Sequence, residues 1–158
     1  DISSLSIKII MNNLYYTRSY MSSSELRYLI AANELAKEIQ NLKQTDVANR
    51  LQVSKVSTYK AMERLREKGF IEKNERKIVL TEQGKEMLNE YMTIINFISM
   101  HLTLHCGTKG NQAYEDALNA TCAFSDTTRN GVANFIKSGM KGIHHASLYQ
   151  NKEQTSDR

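Results

Sequence analysis

Gln44-Thr45-Asp46-Val47-Ala48-Asn49-Arg50-Leu51-Gln52-Val53-Ser54-Lys55-Val56-Ser57-Thr58-Tyr59-Lys60-Ala61-Met62-Glu63-Arg64-Leu65-Arg66-Glu67-Lys68-Gly69-Phe70-Ile71 is the stretch that decides how this chain is read. Thr45 opens a short helix, and Val47, Ala48 and Leu51 give it an inward face. Gln52-Val53-Ser54 is a tight turn, and its last residue carries the hydroxyl of an N-cap. A second helix follows over about 54–68. Thr58, Ala61, Met62 and Leu65 take its buried positions, while Lys55, Ser57, Tyr59, Lys60 and Arg64 turn outward. Gly69 supplies the left-handed residue that ends it. Residues 70–73 and 77–80 then read as short strands, with Asn74-Glu75-Arg76 as the tip between them. Helix, turn, helix and charged hairpin in this order form a winged helix-turn-helix. The physical job of that unit is to place a helix end in the DNA major groove.

Charge agrees with this reading. The chain carries +4 overall, whereas residues 43–77 alone hold ten basic side chains against five acidic ones. Basic side chains in such density neutralise phosphates and release counterions. Ser54, Lys55, Ser57, Tyr59, Lys60 and Arg64 are therefore the candidate DNA contacts on the recognition helix. Hydroxyls and the tyrosine reach base edges or phosphates, and the cations anchor the backbone. Lys73, Arg76 and Lys77 are the wing candidates, set against the plainer reading of surface charge.

Working outward, the hydroxyls of residues 22–24 offer a cap, with Glu25 in the first turn. Leu26, Leu29, Ile30, Ala32, Leu35 and Ile39 follow at helical spacing, which predicts a helix over about 23–40. Beyond the wing, Thr81 caps a helix over about 82–104. Its apolar stripe is Met87, Leu88, Tyr91, Ile94, Ile95, Ile98 and Leu102. That is longer than a small winged domain requires, so the stripe reads as a dimer helix rather than as core alone. Gly107-Thr108-Lys109-Gly110 interrupts the pattern. A helix over about 112–123 follows, and Ser125 caps a last one over about 126–138. The organisation expected is an N-terminal arm at 1–20, where Tyr15, Tyr16 and Tyr20 cluster. Next come a winged helix-turn-helix domain at 21–81, a helical dimerisation domain at 82–138 and a polar tail at 139–158. The fold class expected is mainly α, with a two-stranded wing.

Composition bounds the function. At 158 residues, 41% hydrophobic and 24% charged, the chain is ordinary for a globular protein. The lack of proline suits a helix-rich chain. No apolar run is long enough to span a membrane, and residues 1–10 lack the basic leader of a secretory signal. Two cysteines, Cys106 and Cys122, do not make a secreted disulfide framework, so a cytoplasmic location is expected. There is no nucleophile elbow, phosphate loop or paired-carboxylate motif, so no enzyme is expected.

Asp46-Val47-Ala48, Leu51, Val53-Ser54, Lys60, Leu65, Glu67-Lys68-Gly69-Phe70-Ile71, Val79-Leu80-Thr81, Gly84-Lys85 and residues 120–125 together resemble the diphtheria-toxin-repressor family. These are iron- and manganese-dependent bacterial repressors, and the resemblance covers roughly residues 23–138. The winged part is shared with MarR-type regulators, and the two short helices after the long one are more selective. The resemblance implies a homodimer on a palindromic DNA operator. It also implies a metal site where the first helix, the dimer helix and the next helix meet. Carried over residue by residue, that site fails. Arg27 and Ile30 stand where the first helix should give an acidic or methionine ligand and, three residues later, a glutamate. Tyr91, with Met92 beside it, replaces a histidine. Leu118 and the pair Thr121-Cys122 replace the last three ligands. Divalent iron or manganese needs several oxygen or imidazole donors, so the metal switch is expected to be lost and no cofactor is expected.

A second constellation is His101, His105, Cys106 and Cys122. The two histidines are four apart and share a helix face, and with a thiolate they suit zinc. The plainer reading is exposed histidines at a fraying helix end and Cys122 as a small core residue. Either thiol is also a redox candidate, though no neighbouring sequence marks it as activated. His144-His145 in the tail earns no role. The expectation is a homodimeric DNA-binding transcription regulator of the repressor kind. The alternatives are a MarR-type regulator with a small-molecule or redox trigger, and a winged-helix protein-interaction module.

Overall fold

The structure, a computed structural model, describes residues 21–141. The arm at 1–20 and the tail from 142, with His144-His145, lie outside the described residues. Six helices and one hairpin follow in the order α1 (Ser23–Glu38), α2 (Gln44–Leu51), α3 (Lys55–Glu67), β1 (Ile71–Asn74), β2 (Lys77–Leu80), α4 (Glu82–Cys106), α5 (Gly110–Ala123) and α6 (Asp126–Lys137). This is a mainly α winged helix-turn-helix carrying three further helices.

Local chemistry starts most of these helices. Ser22 caps α1 in a reciprocal box: its side chain accepts from the Glu25 N–H, and the Glu25 carboxylate accepts from the Ser22 N–H. Ser54, Thr81 and Ser125 each accept the N–H three residues on, satisfying a donor that the first helical turn leaves free. Gln52, at φ 53°, is the left-handed residue that turns α2 into α3.

The hairpin is tighter than the sequence reading. Ile71 pairs with Leu80 and Asn74 with Lys77, so Asn74 belongs to β1 and only Glu75-Arg76 form the turn. Phe70 lies outside the strand, fully buried, and its carbonyl accepts from the Thr81 N–H. The wing is tied to the head, because the Ile78 N–H donates to the Leu42 carbonyl at 2.8 Å. The long helix reaches Cys106, two residues beyond expectation, and stops at left-handed Gly107. His105 therefore sits in a formed last turn rather than at a fraying end. Helix α5 begins at Gly110, two residues earlier than the glycine break suggests.

One core runs through the head and into the body. Leu26, Leu29, Leu35, Val47, Met62, Leu65, Phe70, Ile78, Tyr91, Ile95 and Leu118 all belong to it. Helix α1 touches α2, α3, α4 and α5, so it is the piece that joins the head to the α4–α6 body.

Glu25, only 4% exposed, ties this centre to α3. Its carboxylate accepts from Lys68 Nζ at 2.7 Å and from Arg64 Nε at 3.0 Å. Burial pushes its carboxyl up, but Lys68, the Ser22 N–H and Arg64 outweigh this and hold it below the usual carboxylate range. Its stabilisation is present above the unfolded carboxylate value and disappears as pH falls through the lower folded one. Urea unfolding from pH 7 downward should show Glu25→Gln less stable at neutral pH. The gap to the native chain should narrow as pH falls below the ordinary carboxylate range and close only once the lowered folded carboxyl is itself protonated. A constant gap at every pH would contradict the pairing.

Candidate nucleic-acid interface

The outward face of α3 is built by its spacing. Thr58, Ala61, Met62 and Leu65 turn into the core, which leaves Lys55, Val56, Ser57, Tyr59 and Lys60 on the opposite side, all exposed. Lys55 and Lys60 form no ion pair among the described residues. Ser54 is committed to its cap, but Ser57 keeps a free hydroxyl proton, since Ser54 Oγ donates to Ser57 Oγ at 2.9 Å. Tyr59 is 54% exposed and Val56 is 64% exposed. Val56 was absent from the sequence-based candidates. An apolar residue in the first exposed turn of a recognition helix was the available signal, because such a side chain suits a thymine methyl.

The wing contributes in two ways. Arg76 and Lys77 are exposed and unpaired among the described residues, at the tip and just after it. Lys73 turns back instead. Its ammonium pairs with Glu63 of α3 and lies 4.8 Å from the centre of the Tyr59 ring. Lys73 thus braces the hairpin against the recognition helix and sets the plane of Tyr59. Between them lies a groove of about 600 Å³, lined in part by Lys43, Gln44, Tyr59, Lys73 and Arg76. Arg64, the last α3 candidate, is half exposed but held by Glu25 at its Nε. The structure therefore leaves Lys55, Ser57, Tyr59 and Lys60 open on α3 and Arg76 and Lys77 open on the wing, with Tyr59 and Arg76 lining one groove. Ser54, Arg64 and Lys73 support them.

The metal positions implied by the resemblance are filled differently. Arg27 closes both terminal nitrogens on Glu115 of α5. Tyr91 is fully buried, and burial pushes its phenol up to about 12. Its hydroxyl accepts from Arg129 Nη1 at 3.1 Å, and the guanidinium carbon lies 4.5 Å from the ring centre. Arg129 is itself only 2% exposed, with Glu90 at 2.8 Å and Asp126 at 2.9 Å. Burial pushes the Cys122 thiol up, so it stays protonated. Two guanidinium ions repel a divalent cation and a protonated thiol offers it no anionic donor, so these residues do not fit iron or manganese.

The His101, His105, Cys106 and Cys122 constellation is pulled apart. Cys122 is buried within electrostatic reach of Tyr91, whereas His101 is ten residues further along α4, about 15 Å away by helical rise. The two histidine rings stack on each other at 5.2 Å, and Cys106 is exposed at the helix end. No group of three or more metal-ligating side chains is assembled among the described residues. Nor is any helix there long and apolar enough to cross a membrane.

No family model and no curated sequence matches the chain. Among solved structures it is similar to the hypothetical protein SSo2273 from Sulfolobus solfataricus. That likeness has a TM-score of 0.59 and 19% identity, covering 75% of this chain and 91% of that one. It is also similar to the manganese regulator SloR, with a TM-score of 0.59 and 18% identity. There the match covers 72% of this chain and 53% of the regulator, so it spans about half the regulator's length. At this identity the likeness is one of fold, and that fold is the one the diphtheria-toxin-repressor resemblance implies.

Proposed function

We propose that this chain is a sequence-specific DNA-binding transcription regulator, a repressor that acts as a homodimer on a palindromic operator. The observation that carries the reading is the bare outer face of α3. Lys55 and Lys60 are exposed without ion-pair partners among the described residues, Ser57 and Tyr59 lie between them, and the wing stands alongside with Arg76 and Lys77. The fold shared with a manganese regulator supports it. Helix α4 exposes Met100 and Leu104 beyond its packed segment, which suits a second copy of the body. The arginines at Arg27 and Arg129 support a regulator whose metal switch is lost.

Fluorescence anisotropy with labelled duplex DNA at several salt concentrations tests this. Lys60→Glu should weaken binding by about tenfold or more and flatten the salt dependence by about one ion or more per head. Lys60 is exposed and in no ion pair among the described residues, so the variant keeps its fold. Unchanged affinity would sink the DNA reading. Manganese or iron added to the same assay should leave affinity where it was.

A further inference from the structure

A cleft of about 230 Å³ opens between the head and the body, where α1, the end of α2 and α5 meet. Its floor is apolar and is made by Ile30, Leu51 and Leu118. Its rim carries one charge of each sign. Glu34 of α1 and Arg50 of α2 face each other at 3.8 Å, with side chains 53% and 46% exposed. That separation is well beyond a charge-assisted hydrogen bond, so each group remains open to a better partner. Tyr114 of α5 supplies a third polar group. Its hydroxyl makes no hydrogen bond among the described residues, and the residue is only partly exposed. Burial and the nearby Glu34 carboxylate push its phenol up, so it remains a donor at neutral pH. Arg27 also borders the cleft but is closed on Glu115. The volume is below the roughly 300–1,000 Å³ of sites for drug-sized ligands, so the occupant must be small.

We propose that this cleft binds a free α-amino acid with an apolar side chain. The ammonium group meets Glu34, the carboxylate meets Arg50 and the Tyr114 hydroxyl, and the side chain lies on Ile30, Leu51 and Leu118. A zwitterion is the complement of this rim. A ligand with one charge leaves either Glu34 or Arg50 without a partner of opposite sign. The occupant touches α1 and α2 of the head and α5 of the body at once, so its binding is coupled to the tilt of the head.

Calorimetric titration of the whole chain with L-leucine tests the site. Two controls of the same shape accompany it: 4-methylpentanoate, which lacks the ammonium, and 3-methylbutylamine, which lacks the carboxylate. Leucine should bind saturably, and each control should bind about tenfold more weakly or worse. Glu34→Gln should weaken leucine but not 4-methylpentanoate, and Arg50→Gln should weaken leucine but not the amine. Both residues are exposed, so these variants fold. Absence of saturable leucine binding up to about 10 mM overturns the proposal. So does equal binding of all three probes, or leucine binding that neither substitution changes. DNA takes no part in this measurement, so its failure leaves the DNA reading standing.

Discussion

Replacing Gly84 by alanine should cost about 3 kcal/mol of stability or more, measured by urea unfolding. Gly84 is the third residue of α4, where alanine is ordinarily the better helix former by about 1 kcal/mol. The loss arises from space. A Cβ at this position would lie 2.0 Å from the Phe70 carbonyl oxygen and 2.8 Å from its carbon, and backbone cannot rotate away. The same carbonyl accepts the Thr81 N–H at 3.0 Å, while the Thr81 hydroxyl donates to the Gly69 carbonyl at 2.6 Å. The Gly84 N–H in turn donates to the Thr81 hydroxyl at 2.9 Å. Moving α4 outward to admit a methyl group breaks this set of bonds and separates the long helix from the end of α3. Gly131 is the control. It lies in α6, and a Cβ there would meet nothing within 4 Å, so Gly131→Ala should stabilise by about 0.5–1 kcal/mol. If both variants behave alike, the close approach at Phe70 is wrong.

Arg129→Met should cost about 3–5 kcal/mol, the range for breaking a buried ion pair by removing one partner. Methionine keeps much of the apolar volume, so the loss reports the guanidinium. That group donates to Glu90, Asp126 and the Tyr91 hydroxyl, and its Nη2 lies 3.7 Å from Met87 Sδ. Without it, the Glu90 carboxylate, with a side chain 17% exposed, loses its cation in a low-dielectric setting. Arg129→Met combined with Glu90→Gln should therefore recover part of the loss, because the uncompensated charge is gone. Arg129→Lys should fall between native and methionine, since one ammonium cannot reproduce the planar fork that reaches several acceptors at once. Urea unfolding of the four proteins checks the order. A methionine variant within about 0.5 kcal/mol of native would contradict the pairing.

The two predictions sit at opposite ends of what a sequence discloses. Gly84 follows a capping threonine by three residues, so its place in a helix start was legible. Its clash with Phe70 was not, because that contact depends on how the wing returns to the head. The alternation of core and outer residues in α3 was legible in full, since Thr58, Ala61, Met62 and Leu65 are buried as their spacing requires. The wing departs from its sequence reading by one residue at β1, because register depends on cross-strand pairing rather than on which residues favour strands. Lys73 reads from the sequence as another exposed cation. Only the antiparallel return of the hairpin beside α3 shows that it points back at Glu63 and Tyr59.

The sequence by itself determined the winged helix-turn-helix, its caps and the outward face of α3. Those features depend on hydrogen bonds three or four residues apart and on helical periodicity, which a linear string preserves. Tertiary structure alone decided where the charges go. Glu25 meets Arg64, 39 positions along, Arg129 meets Glu90 across the same separation, and Arg27 meets Glu115 across 88. An ion pair is fixed by packing and by the cost of burying an unpaired charge, and neither is encoded within one turn of helix.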